Sequence, residues 1–174
     1  MRKALVLGLI LALAALASLA GCGYNFRGKQ NNLPSDVRTV AIPVFENHTG
    51  ELRIERTFTD ETIFQFTRSQ MLRVVSEGQA DAVVKGIIKE VKTEDVALSR
   101  GQASTQRRLA IIVSGQLIRR SDGKVLWEDR ALEKNRTFNV AGTIQATEQN
   151  KALAVTELAR DMAQTLHDRV FENF

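Results

Sequence analysis

Few side chains in this sequence have the chemistry for catalysis or metal binding: His48, His167, the single Cys22, and the adjacent acids Asp60–Glu61 and Glu94–Asp95. A reactive centre needs such groups to converge, and nothing in their spacing makes them do so. His48 sits in the loop Glu46-Asn47-His48-Thr49-Gly50, and His167 falls at the polar border of the last helical stretch, so both are expected to be solvated. No Cys/His set has zinc spacing, and the scattered glycines form no phosphate loop. Consecutive acids usually face solvent apart from each other. The residues therefore predict no enzyme, no metal and no cofactor. A basic segment is more informative. Thr93 to Arg108 joins two strand-like stretches and carries Arg100, Arg107 and Arg108 among Gly, Ser, Gln and Thr. Guanidinium forks pair well with phosphate, so the segment reads either as a contact for an anionic ligand or as a solvated hairpin loop. The formal net charge of +4 is too mild for a nucleic-acid binder.

Cys22 has a different use. Arg2 and Lys3 precede an apolar run from Ala4 to Ala20, which closes in Leu19-Ala20-Gly21-Cys22. Basic, then apolar, then small residues is the pattern of a secretory signal peptide, and the run is short for a membrane span. The closing residues resemble the lipobox of bacterial lipoproteins. That resemblance implies cleavage after residue 21 and acylation of the Cys22 thiol, with three chains and hence an effectively permanent anchor. Gly23 in place of Asp implies sorting to the cell outer membrane. Removing residues 1–21 from the 174 leaves 153, enough for one domain with a real core. No cysteine remains for an internal disulfide, so packing alone must hold the fold. The expected organisation is a signal peptide at 1–21, a lipidated N-terminus and short tether at 22–35, and one domain at 36–174.

The elements follow from periodicity. Arg38 to Phe45 alternates with Val40, Ile42 and Val44 on one face, a strand whose Pro43 demands an edge or a bulge. Residues 51–69 read as a helix facing inward with Ile54, Phe58 and Phe66, with Ile63 at its border and Phe64 off the stripe. Met71 to Val75 is a short extended piece, and Glu77-Gly78-Gln79 turns the chain. Three longer strands follow at 82–91, 109–118 and 124–132, the last two joined by the Asp122-Gly123 turn signal. Thr147 is the expected N-cap of a final helix with one apolar stripe, Val155, Leu158, Ala159, Met162, Leu166 and Val170. The predicted architecture is α+β: a two-layer sandwich, two helices packed on one face of a roughly four-stranded mixed sheet. Its other face is unusual, because Val83, Ile87 and Val91 point there between Lys85 and Lys89. A face without helices does not need apolar groups, so these five residues are a candidate partner face.

The residues also resemble a known family. Cys22-Gly23-Tyr24-Asn25-Phe26-Arg27, Leu33-Pro34 and the run from Thr39 to Asn47 closely resemble the start of the LPS-assembly lipoproteins of the LptE family, and the likeness covers essentially the whole mature chain. The resemblance implies two helices on a four-stranded sheet. It also implies a position inside the lumen of a large outer-membrane β-barrel, the LPS-assembly protein LptD, and help in delivering lipopolysaccharide to the cell surface. It further implies lipopolysaccharide binding through basic residues. Arg100, in Ser99-Arg100-Gly101-Gln102, matches one of them; near the last helix the chain has Gln145-Ala146-Thr147-Glu148, with Lys151 a few residues on. Arg107, Arg108 and Lys151 are the other candidate ligand residues. Val40 to Gly50 resembles, second, the periplasmic adaptor lipoproteins that activate cell-wall synthases or support secretion, although those carry a longer tether.

Overall fold

The computed structural model describes residues 33–96 and 105–172; Cys22, most of the expected tether and Arg100 lie outside them. Six strands and two α-helices follow in chain order: β1 (Thr39–Ala41), β2 (Glu46–Asn47), α1 (Ile54–Ser69), β3 (Arg73–Val74), β4 (Ala82–Asp95), β5 (Gln106–Arg119), β6 (Val125–Asn139) and α2 (Ile144–Glu172), with a 3₁₀ turn at Glu77–Gln79 before β4. One sheet runs in the order β3-β1-β4-β5-β6, and β2 pairs with β4 further along the lane of β1. The pairs of β1 with β3 and β4, and of β2 with β4, are parallel. The long pairs β4–β5 and β5–β6 are antiparallel.

The fold is the α+β sandwich expected, with six strands where about four were predicted. The difference has two local causes. Pro43 lacks the N–H a ladder needs, so the predicted strand from Arg38 to Phe45 shortens to β1, and pairing resumes as β2 in the stretch Glu46–Asn47 that was expected to be loop. The short piece after α1 then joins the sheet as β3. The cut also reverses one side chain. Val40 and Ile42 are buried, but Val44 is exposed and Phe45 turns into the core in its place. Phe45 lies against Gly86 of β4, where a Cβ would come within 2.1 Å of the ring. Its backbone N–H donates to the buried Thr59 hydroxyl of α1 at 3.0 Å. A bare glycine in the sheet and a threonine in the helix thus fix the lane between them.

Helix α1 buries Ile54, Phe58 and Phe66, and α2 buries Leu158, Ala159, Met162, Leu166 and Val170. Both pack with Val84, Ile88, Leu109, Ile111, Val113, Leu117 and Trp127 of the sheet in one cluster. Thr147 is not the N-cap of α2. The helix begins at Ile144, and the Thr143 hydroxyl accepts the Ala146 N–H at 3.2 Å, while Thr147 is buried and bonds back to Ala141. The helices lie side by side in the same direction, since α1 meets α2 at Glu61–Arg160 and again at Phe66–His167. The 29 residues of α2 span about 44 Å, matching the roughly 46 Å of a 14-residue strand.

Candidate functional site

Chain direction gives the sheet two distinct ends. At one end, β4 closes, β5 opens, and β6 hands over to the first turns of α2. At the other lie the start of β1, the β5–β6 turn and the C-termini of both helices. The chain ahead of β1 is fixed at this second end, where Asp36 meets Arg119 at 3.6 Å.

The predicted ligand cations gather only partly at the first end. Arg107 and Arg108 are neighbours on β5, so they point to opposite faces. Arg107 lies on the helix side, pairs with Asp95 at 3.0 Å, and borders a cavity of about 250 Å³ with Gly142, Thr143 and Glu148. Arg108 is exposed on the open face. Lys151 contacts Glu51 across the gap between α2 and the loop before α1, and its side chain is only 18% exposed. It is already engaged with a carboxylate, unlike a solvated cation awaiting a ligand. It lines a larger cavity of about 470 Å³ with Leu52, Arg53, Glu148, Ala152 and Val155. Arg107 and Lys151 are therefore brought to one side of one end, with Glu148 bordering both cavities. Sequence reasoning missed the other features here. Leu52 and Ile144 are strongly exposed, and Arg53 takes a left-handed backbone, φ 65°, just before α1. A leucine and an arginine at the start of a helical pattern carry no signal for that geometry.

The candidate partner face needs two corrections. A bulge in β4 between Ile88 and Glu90 adds one residue and reverses the alternation beyond it. Val91 consequently pairs with the core residue Ile111 and packs on the helix side. Val83 does face away from the helices, but it is buried in a small second cluster with Ala41 and Ala80, joined by Val75. Lys85, Ile87 and Lys89 remain on the open face. They border a groove of about 410 Å³ shared with Glu46, Ser114 and Glu128. Glu128 accepts a 2.8 Å hydrogen bond from Gln116 and a 3.1 Å bond from Arg130. The Gln116 bond, then the Arg130 bond, holds its carboxyl below the ordinary value. Lys89 donates to the backbone carbonyl of Arg130 at 2.9 Å.

The residues considered for catalysis stay apart. His48 is exposed, 3.4 Å from Glu46. His167 is not solvated as expected: only 12% of its side chain is exposed, and its ring packs against Phe66 and Phe171 at 5.0 and 4.8 Å. Glu61 faces Arg160 at 3.5 Å. Among the described residues no cluster of three His, Cys, Asp or Glu side chains is placed to hold a metal, and no helix is long and apolar enough to cross a membrane.

The sequence model of a lipopolysaccharide-assembly family, LptE, matches residues 37–170. No curated protein matches the chain. Among solved structures, a lipoprotein B from Nitrosomonas europaea is similar with a TM-score of 0.55 at 16% identity, covering 86% of this chain and 90% of its own. A minor lipoprotein from Acinetobacter baumannii gives a TM-score of 0.54 at 17% identity, with 79% and 93% covered. The dodecameric PelC of Paraburkholderia phytofirmans gives 0.52 at 15% identity, with 78% and 90% covered. At these identities the structures share a fold with this chain and nothing finer.

Proposed function

The chain belongs to the LptE lipopolysaccharide-assembly family, and on that premise we propose that it is an outer-membrane lipoprotein working with the barrel protein LptD. The family match carries this reading, because it runs from just before β1 almost to the end of α2. In this reading residues 1–21 are removed, Cys22 is acylated, residues 22–35 form the tether, and the domain from 36 onward occupies the barrel lumen. It helps the barrel fold and deliver lipopolysaccharide to the cell surface, and no step of it is enzymatic. Dimensions support the arrangement. The apolar band of a membrane barrel is about 25 Å tall, and the roughly 46 Å of the 14-residue β5 spans it.

Lipopolysaccharide binding falls to Arg100, with Arg107, Arg108 and Lys151 as contributors. Arg107 pairs with Asp95 and Lys151 contacts Glu51, so both are weaker contributors than the exposed Arg108. Detergent extraction of the tagged full-length protein, followed by affinity capture, tests the partner. A one-to-one complex with a heat-modifiable barrel of high mass is expected. Recovery of a peptidoglycan synthase in its place would refute the assignment.

A further inference from the structure

We infer that the open face of the sheet docks an acidic, carboxylate-bearing stretch of the barrel's inner wall, with Lys85 and Lys89 as the contact charges. This rests on the barrel reading above and names the face that meets the partner.

Within the groove on this face, Glu128 is bonded by Gln116 and Arg130, and Glu46 stands 3.4 Å from His48. Beside the groove, Lys92 pairs with Glu90 at 2.8 Å. Lys85, by contrast, is exposed and makes no ion pair or hydrogen bond among the described residues. Lys89 reaches across β5 to the carbonyl of Arg130; it acts on Glu128 only through space and makes no ion pair among the described residues. Both lysines border the groove together with the half-buried Ile87, so the surface offers two positive charges beside an apolar contact.

The chemistry of the face favours a polypeptide over a phosphorylated headgroup. Lysine is a point charge without the planar fork that grips phosphate in two places. Glu46 and Glu128 line the same groove, so it suits a strand that sets carboxylates against the two lysines and hydrogen-bond donors against the two glutamates, whereas a phosphorylated head brings no such donors. Lys85 and Lys89 are four residues apart on β4, roughly 13 Å of strand. That is the spacing of two carboxylates four residues apart on one face of a partner strand.

The test uses the full-length lipoprotein co-expressed with the barrel. The double variant Lys85→Glu/Lys89→Glu should lower barrel recovery on affinity capture by about tenfold or more, since like charges face each other across the interface. Lys85→Arg/Lys89→Arg should retain it. Both variants should keep the Tm of the parent domain and its titration with purified lipopolysaccharide. Undiminished barrel recovery for the charge-reversed variant would overturn the inference and leave the barrel reading intact. Loss of lipopolysaccharide binding with recovery unchanged would overturn it in favour of a ligand groove. Failure of the parent chain itself to capture a barrel would remove the reading and the inference together.

Discussion

Asp81 joins β1 to β4 across 42 residues. One of its carboxylate oxygens accepts the backbone N–H groups of Arg38 and Thr39 at 3.0 and 2.9 Å and the Thr39 hydroxyl at 2.7 Å. These bonds, the Thr39 hydroxyl first, hold the carboxyl below its ordinary value of 3.8, against the opposing effect of burial. A carboxylate whose folded pKa is lowered adds stability that is fully present above the unfolded value and is lost as pH falls through the folded one. Asp81→Ala should therefore cost about 1–3 kcal/mol near neutral pH. The gap between parent and variant in urea melts should close as pH drops below the ordinary carboxylate range. A gap of the same size at acid and neutral pH would show that the charge contributes nothing. Single-residue details of this kind were the least legible in the sequence. Alternation placed Val40 and Ile42 correctly, but it could not show that Pro43 would break the lane and exchange Val44 for Phe45. His167 was misplaced for a similar reason. Its polar ring sits at the edge of the helical stripe, where Phe66 from α1 and Phe171 from its own helix cover it.

Elements were easier to read where a single period runs unbroken. The stripe of α2 is one such case, because five of its six predicted residues are buried and Val155 packs partly against them. Met162 sits in the middle of that stripe at 1% exposure. Met162→Asp would leave an unpaired charge there, at a cost of several kcal/mol against a total stability of about 5–15 kcal/mol for a domain. The purified domain should lose its cooperative thermal transition; a melting curve identical to that of the parent would show that the helix does not carry the core. β4 is the opposite case. Its residues up to Ile88 follow period two, and the bulge at Ile88/Glu90 then reverses the faces. A bulge follows from how β4 and β5 fit together, which no periodicity within β4 contains. Lys85 and Ile87 thus kept their predicted face, while Val91 crossed to the other.

For the whole domain, the described chain starts at one end of the sheet, and the candidate ligand residues Arg107 and Lys151 lie at the other. Ten residues lie between Cys22 and Leu33, at most about 40 Å of extended chain, and the described chain starts at the end opposite the start of α2, where Asp36 meets Arg119. Cys22→Ser should move the protein from the membrane pellet to the soluble envelope fraction in cells lacking the barrel, and continued pelleting there would count against lipidation. The candidate ligand residues were partly legible, because the basic side chains are visible along the chain but their faces are not. Arg107 and Arg108 look alike in sequence and lie on opposite sides of the sheet, and the Glu51 contact of Lys151 spans 100 residues. Arg100 lies outside the described residues, so its part rests on the family match and on its place between β4 and β5. If it grips a phosphate, Arg100→Lys keeps the charge and loses the two-pronged hydrogen bonding, whereas Arg100→Asp turns attraction into repulsion. Affinity for purified lipopolysaccharide at moderate salt should then rank Arg above Lys above Asp, with all three domains equally folded. Exposed charge contacts are individually weak, up to about 1 kcal/mol each, so the single change to Lys should give a partial loss. Arg107 is already paired with Asp95, and Arg108 is exposed on the open face. Adding Arg108→Ala to Arg100→Lys should therefore lower affinity further than adding Arg107→Ala. Equal affinity for Arg100→Asp and the parent would remove Arg100 from the ligand set. Equal effects of the two added substitutions would mean that binding depends on net charge and not on which face carries it.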